Sequence, residues 1–218
     1  MSNISDNKRI AKNTFYMYIR MFATLIISLY TSRIILSSLG FEDYGLYNVI
    51  GGIIVMFSFV CGGMYNATSR YITFYLGKSD IESVRRVFST SLFIHLVFSI
   101  IIIVLGETLG LWYLENKLVI PHGRENAAMW LYQLSIASMV MGLINVPYQA
   151  VIIAKERMSA FAYLSIMDVI LKLLIVVILP FYPFDKLIFY GSLLFAVSVL
   201  DRLIYGWYCN RNFIESKI

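Results

Sequence analysis

Long apolar stretches joined by short polar connections dominate this chain. Six such stretches lie at about 13–39, 44–66, 88–114, 129–154, 160–182 and 187–208. Each is long enough to cross about 30 Å of hydrocarbon as a helix that rises about 1.5 Å per residue. Backbone amides in lipid must bond within the protein, and the chain lacks the alternation of a membrane β-barrel. The pattern therefore predicts an all-α polytopic membrane protein, with residues 1–218 forming a single bundle of six transmembrane helices.

Composition supports this assignment. Of the 218 residues, 59% are hydrophobic and only 14% are charged, whereas soluble domains carry about 25% charged residues. The net charge of +5 is first a signal of membrane topology. We therefore expect membrane lipids as partners and no nucleic acid.

The distribution of lysine and arginine between the connections orients the predicted spans. Basic residues collect at the cytoplasmic ends of membrane helices. The opposite set of ends holds only Lys117, Arg124 and Lys186. The set that contains both termini holds Lys8, Arg9, Lys12, Arg70, Lys78, Arg85, Arg86, Lys155, Arg157, Arg211 and Lys217. This asymmetry predicts that both termini are cytoplasmic.

The connection between the second and third spans contains signals for a helix end and a helix start. Gly77 is placed where a helix should stop. Ser79 and Glu82 have the spacing of a capping box. The sequence therefore predicts that the second helix continues past the membrane to about Leu76 and that a new helix begins near Asp80.

No motif of a soluble enzyme is present in the sequence. It contains no P-loop, dinucleotide-binding glycine fingerprint, zinc-ligand spacing or nucleophile elbow. The two histidines, His95 and His122, are far apart, and we interpret His95 as a residue of a helix interface. The sequence predicts neither an enzyme nor a bound cofactor or metal.

Charged side chains inside the first span are the first candidates for function, because a charge in the membrane is costly. Arg20, Thr24, Ser28 and Thr31 follow helical spacing, and at 100° per residue they form one polar stripe, with Ser28 at its edge. Such a stripe should face a neighbouring helix or a wet cavity. Arg33 lies on nearly the opposite side and is close enough to the span end to reach the interface.

The fifth span contains a second group of charges. Asp168 and Lys172 are four residues apart with the acid first, which favours a helical ion pair. The pair could simply neutralise itself; alternatively, Asp168 couples transport to an ion or Lys172 binds substrate. In the sixth span, Asp201 has no evident partner.

The fourth span contains a predicted helix break. Pro147 removes one helical hydrogen bond and clashes with the carbonyl of Leu143. A kink there would expose backbone polarity beside Asn145 and Gln149, as occurs at the binding sites of transporters. Prolines are also tolerated in membrane helices without a special role.

Three stretches resemble polysaccharide flippases of the Wzx type, within the multidrug/oligosaccharidyl-lipid/polysaccharide exporter superfamily. The stretch SRIILSSLGFEDYGLYNVI resembles the first loop of that family, and MYNATSRYITFYLGKSDIESVRRVFSTS its second cytoplasmic connection. The stretch NVPYQAVIIAKERMSAFAYLSIMDVILKLLIVVILP resembles its fourth and fifth helices. The likeness runs across almost the whole chain.

This resemblance implies a protein that moves undecaprenyl-diphosphate-linked oligosaccharide, such as an O-antigen or lipopolysaccharide precursor, across the bacterial inner membrane. It also implies two six-helix lobes around a cavity whose basic residues meet the diphosphate. Arg20 is the first candidate, followed by Arg33, Arg70 and Lys172. Because the family has twelve or more helices, this chain matches the N-terminal lobe and implies a second half-transporter or a homodimer.

Two other functions remain open at this stage. A cation-coupled drug or metabolite antiporter of the same fold would use Asp168 as its coupling site. A membrane scaffold subunit without transport activity would need no water-filled cavity.

Overall fold

Helices make up nearly all of the computed structural model, which describes residues 2–213 and 215, with side chains described from residue 7 onward except at 57–61. Over these residues the structure contains no β-strand. The α-helices are α1 (Ser2–Gly77), α2 (Ile81–Leu105), α3 (Leu111–Asn116), α4 (Glu125–Ala154), α5 (Met158–Ile178) and α6 (Lys186–Asn212). A π-helical turn, Gly106–Gly110, joins α2 to α3, and a 3-10 turn, Leu179–Phe181, follows α5.

Helix α1 is a hairpin of two arms, residues 2–39 and 41–77. Gly40 is its one residue with non-helical backbone angles, φ 81° and ψ 175°, a conformation that glycine adopts without a Cβ clash. Met17 of the first arm and Ile72 of the second contact the same hydrophobic cluster. In a straight helix these residues would be about 80 Å apart at 1.5 Å per residue. The chain therefore turns back at Gly40.

Five helices in the described part of the chain are long and apolar enough to cross a membrane. The predicted spans 13–39 and 44–66 are not separated by a loop, because the turn between them occupies a single glycine. Residues 7–56, which contain this turn, therefore count as a single candidate among the five. The other four predicted spans match α2 with α3, α4, α5 and α6.

The predicted capping box before α2 is wrong in its residues. Asp80, and not Ser79, caps the helix, and its side chain accepts a hydrogen bond from the backbone N–H of Ser83 at 3.0 Å. Hydrogen bonds from Ser83 lower the pKa of Asp80. Ser79 instead has φ 56° and forms the turn after Gly77. The predicted helix start near Asp80 is confirmed.

Helix α4 is the centre of the bundle and packs against α1, α2, α5 and α6. Its buried residues contact three separate hydrophobic clusters along its length. At Gly191 of α6, an added Cβ would lie 2.9 Å from Leu131 of α4. This close approach sets the distance between the two helices.

Ion pairs connect the helices at both ends of the bundle. At one end, Arg124 before α4 contacts Asp43 of α1 and, at 2.7 Å, Asp185 before α6. Burial disfavours the charge on Arg124, but the hydrogen bonds and charges of the two aspartates outweigh it and raise the pKa of the guanidinium. At the other end, Lys155 after α4 contacts Glu215 at 2.6 Å. These contacts fix the ends of α1, α4 and α6 relative to one another.

Candidate functional site

A half-open chamber of about 900 Å³ lies between α1, α4, α5 and α6. This volume is within the range of about 300–1,000 Å³ that is typical of ligand pockets. The chamber lies among helices of strongly apolar composition, yet many of its wall residues are polar. Those with hydroxyl, amide or charged side chains are Thr24, Ser28, Thr31, Ser32, Tyr44, Tyr47, Asn48, Ser135, Ser138, Asn145, Gln149, Asp168, Lys172, Tyr190, Ser198 and Asp201.

Five hydroxyl groups of the chamber wall are turned toward their own helices. Thr31 donates to the carbonyl of Ile27 at 2.6 Å, and Ser135 donates to the carbonyl of Leu131 at 2.7 Å. Ser32, Ser138 and Ser198 make the same kind of bond to a carbonyl one turn earlier. A hydroxyl has one donor hydrogen and two acceptor lone pairs. These five groups therefore present mainly acceptor capacity to the chamber.

One side of the chamber carries a cluster of three charged residues. The Lys172 ammonium lies 2.8 Å from Oδ1 and 2.9 Å from Oδ2 of Asp168, so the predicted helical ion pair is present. Asp201 of α6 interacts electrostatically with both residues. The ion pair thus does not stand alone, because a second carboxylate from the neighbouring helix faces it.

The predicted break at Pro147 is not observed, because α4 continues from Glu125 to Ala154 through the proline. A proline removes one backbone hydrogen bond, and the remaining bonds and the packing on three sides are sufficient to keep the helix intact. Asn145 is only 4% exposed and lines the chamber. Asn145 therefore contributes its side chain to the site, and the helix around Pro147 contributes no unwound segment.

Arg20 lies outside the chamber, in a neighbouring groove of about 460 Å³ along α1. Its guanidinium carbon is 4.9 Å from the centre of the Phe161 ring. Its Nε is buried and has no hydrogen-bond partner among the residues that the structure describes. Thr24 and Ser28 line both the groove and the chamber, so the predicted polar stripe joins the two spaces.

The other candidate arginines are not part of this site. Arg33 and Arg70 are exposed and line neither the chamber nor the groove. Thr24, Ser28, Thr31, Asp168 and Lys172 do line the chamber, as the stripe in α1 and the pair in α5 suggested.

A polar stripe on α4 was missed by the sequence reasoning. Ser135, Ser138, Gly142, Asn145 and Gln149 are spaced alternately three and four residues apart, and all of them line the chamber. That spacing is one face of a helix and is visible in the sequence. The segment around Pro147 therefore contributes a polar helix face to the chamber wall, and not a helix break.

Metal binding finds no support in the part of the chain that is described, since it contains no group of three or more metal-ligating side chains. His95 is 1% exposed, and its Nδ1 donates to the carbonyl of Ser91 at 2.6 Å. Ser91 in turn bonds Thr68 of α1 at 2.8 Å. His95 therefore lies at a helix interface.

Comparison with solved structures shows which fold this arrangement belongs to. The chain superposes on an outward-facing multidrug resistance MATE family transporter of the MOP superfamily with a TM-score of 0.79 at 15% identity, covering 96% of this chain and 46% of that one. A crystal structure of a MATE point mutant gives a TM-score of 0.80 at 15% identity, and the match covers 97% of this chain and 46% of the mutant's chain. The third match is a MOP superfamily transporter from Pyrococcus furiosus that is described as having reversed polarity of its binding pocket. Its TM-score is 0.75 at 16% identity, and the match covers 96% of this chain and 45% of that one.

The chain thus has the fold of one half of a MOP superfamily transporter and spans less than half the length of these structures. No family model matches the sequence. No curated protein matches it either.

Proposed function

We propose that this chain forms one lobe of a membrane transporter that moves a lipid-linked oligosaccharide across the bacterial inner membrane. The observation that carries the proposal is the chamber of about 900 Å³ with hydroxyl and amide walls inside an apolar bundle. Sugars present many hydroxyls, and each of them can donate to the acceptor-bearing wall. A lipid-facing helix bundle has no structural need for such a chamber.

The groove beside the chamber suits the diphosphate that would join sugar to lipid. Arg20 offers a buried Nε without a partner within the described structure, and a guanidinium is the side chain best matched to phosphate oxygens. The apolar side of the same groove consists of Met21, Leu25 and Leu29. An amphiphile could therefore keep its lipid chain outside while its sugars reach the chamber across Thr24 and Ser28.

In this transporter the chain would cross the membrane six times, with each arm of α1 crossing once and both termini in the cytoplasm. The two arms turn back at Gly40, and the excess of lysine and arginine lies at the end that holds the termini. The second half of the cavity would come from a further lobe, either in the same polypeptide or in a second copy.

Substitution of Arg20 tests this function. The complete gene containing these 218 residues is expressed in a bacterium whose own oligosaccharide flippase has been deleted, and surface polysaccharide is quantified. Arg20→Ala should reduce export strongly while membrane insertion persists. Arg33→Ala is the matched control, because it removes an arginine from the same arm outside both spaces and should leave export unchanged. Equal export by the two variants at equal protein levels would refute the role of Arg20.

A cation-coupled antiporter is the second candidate, and the facing carboxylates of Asp168 and Asp201 favour it. Two nearby carboxylates beside one ammonium can take up a proton or a small cation. In proteoliposomes, Asp168→Asn should then abolish the dependence of transport on a proton or sodium gradient. Transport by the unmodified protein that needs no gradient would argue against this candidate.

A scaffold role without transport is tested by water access. A cysteine placed at Thr24 should react with a membrane-impermeant thiol reagent if the chamber is wet. A dry helix interface would leave it unlabelled.

A further inference from the structure

Three polar side chains that line the groove along α1 have no hydrogen-bond partner in the described part of the chain. The guanidinium of Arg20 contacts the Phe161 ring at 4.9 Å, but its buried Nε has no partner among the described residues. The hydroxyls of Thr24 and Ser28 likewise make no hydrogen bond to a described residue. All three side chains line the groove. The groove therefore contains a row of unused hydrogen-bond donors.

Other hydroxyls in the membrane helices are used differently. Ser32, Ser99 and Thr108 each donate to the carbonyl of the residue four positions earlier, at 2.9, 2.8 and 2.7 Å. This bond satisfies a hydroxyl within its own helix, which is favourable where no water is present. Because Thr24 and Ser28 do not make it, their donor hydrogens remain available to a bound molecule.

The row of donors runs along the helix axis through the middle of the predicted span 13–39. Arg20, Thr24 and Ser28 are four residues apart, so each step is about 6 Å and the row is about 12 Å long. A polar group is least stable at the centre of the hydrocarbon, where neither water nor lipid headgroups can bind it. The donors are therefore located where a crossing headgroup most needs partners.

The groove also has an apolar edge beside the donors. The residue that follows each donor lines the groove as well, and these residues are Met21, Leu25 and Leu29. At Arg20 the groove adjoins a second space of about 330 Å³ that reaches Asn13, near the start of the span. Arg20 forms no ion pair with a described carboxylate, and phosphate oxygens accept well from guanidinium groups. The two edges therefore suit a lipid whose headgroup carries phosphate.

We infer that the phosphate-bearing headgroup of the transported lipid crosses the middle of the bilayer along this groove, held first by Arg20 and then by Thr24 and Ser28. This inference rests on the proposed function and names the path that the diphosphate takes. The lipid chain stays against the apolar edge, while the sugars occupy the chamber that Thr24 and Ser28 also line. Because a diphosphate has two phosphoryl groups, it can bond the next donor before it leaves the last one.

Movement of a fluorescent lipid in liposomes tests this path. The purified full-length protein is reconstituted with a trace of polyprenyl-diphosphate-linked N-acetylglucosamine that carries a fluorophore on the sugar. Dithionite, which does not cross the membrane, bleaches only the probe in the outer leaflet and so reports the rate of crossing. Thr24→Val combined with Ser28→Ala removes both hydroxyls at nearly constant volume. Crossing should slow at least about tenfold, as expected when a hydrogen bond to a charged group is lost at the top of the barrier.

Ser37→Ala combined with Thr73→Val is the matched control. It also removes one serine and one threonine hydroxyl from α1, but both donate to helix carbonyls, and both residues lie outside the groove and the chamber. Crossing should be unchanged in this control. The groove variant should melt no lower than the control, because its two hydroxyls make no bond in the described structure. A lower melting temperature would show that these hydroxyls serve the fold and would overturn the inference.

A second fluorescent lipid, phosphatidylglycerol, distinguishes this inference from the proposed function. If the diphosphate lipid crosses and only the groove variant slows it, both are supported. If the unmodified protein and the groove variant move the diphosphate lipid equally fast, the inference is overturned and the proposed function stands. Movement of phosphatidylglycerol alone, with the same sensitivity to the groove variant, would support the phosphate path and refute the oligosaccharide substrate. Movement of neither lipid would refute both.

Discussion

Replacing Gly110 by alanine should destabilise the fold by displacing Tyr132. Gly110 ends the π-helical turn after α2, and a Cβ at this position would overlap the Tyr132 hydroxyl and lie 3.0 Å from its Cζ. Tyr132 on α4 is completely buried and donates to the carbonyl of Gly106 at 2.8 Å. A π-helical turn leaves its backbone hydrogen bonds irregular, and this phenol satisfies one of the carbonyls. Because the ring is completely buried in a hydrophobic cluster, it can move only by displacing its neighbours.

The magnitude follows from two contributions. Forcing a buried side chain out of a packed position costs about 1–3 kcal/mol. Losing the hydrogen bond to Gly106 adds about 1 kcal/mol. The free energy of unfolding should therefore fall by about 2–4 kcal/mol, and the melting temperature should fall by about 4–16 °C for a chain of this size.

A double-mutant cycle tests whether the contact with Tyr132 is the cause. Unfolding is followed in detergent by tryptophan fluorescence for Gly110→Ala, Tyr132→Phe and the double variant. Tyr132→Phe removes the atom that an alanine side chain would strike, so Gly110→Ala should cost at least about 1 kcal/mol less in that background. Gly142→Ala is the matched control, since an added Cβ there meets nothing within 4 Å. Additive effects of the two substitutions would refute the explanation.

Two further predictions concern the ion pairs at the two ends of the bundle. Arg124→Gln should lower the free energy of unfolding by about 2 kcal/mol, because it leaves Asp43 and Asp185 unpaired at a partly buried position. Thermal unfolding measures this change, and Arg124→Lys should lower the free energy of unfolding by less. Burial tends to raise the pKa of Glu215, but the hydrogen bond and charge of Lys155 prevail and lower it. The stabilisation is therefore present above the ordinary glutamate pKa of about 4.3 and is lost as pH falls through the lowered value. Melting curves at pH 3–7 should show a shallower acid dependence for Glu215→Gln.

The helices were largely predictable because hydropathy decides where a chain can cross a membrane. Helix α5 begins within two residues of the predicted start at 160, and α6 within one of 187. The sequence separated the first two spans between residues 39 and 44, and Gly40 lies in that gap; that the turn needs only one residue follows from backbone geometry and not from hydropathy. The cap at Asp80 was assigned one residue early, because Ser79 and Asp80 are both good capping residues and only backbone geometry chooses between them.

The site was predictable where polarity repeats along one helix and less so where helices meet. The stripe of Thr24, Ser28 and Thr31 follows from helical spacing alone. Asp201 gained significance only when α6 was placed against α5, since its neighbours Asp168 and Lys172 are more than 25 residues away in the chain. Arg20 was assigned to the cavity because no sequence rule distinguishes the chamber side of a helix from an adjoining groove.

The placement of charges separates the groups that hold this lobe together from the groups that line its chamber. Its tightest interhelical ion pairs, those of Arg124 and Lys155, lie at the two ends of the bundle. The charges in the middle face a chamber and leave an acceptor of Asp201 unpaired. A substitution at Arg124 should therefore change the melting temperature with little change in the transport activity of the folded protein, and Asp168→Asn should do the reverse. If both substitutions changed both properties together, the ends would not hold the chamber independently of its charged groups, and a change in transport could not be attributed to Asp168 alone.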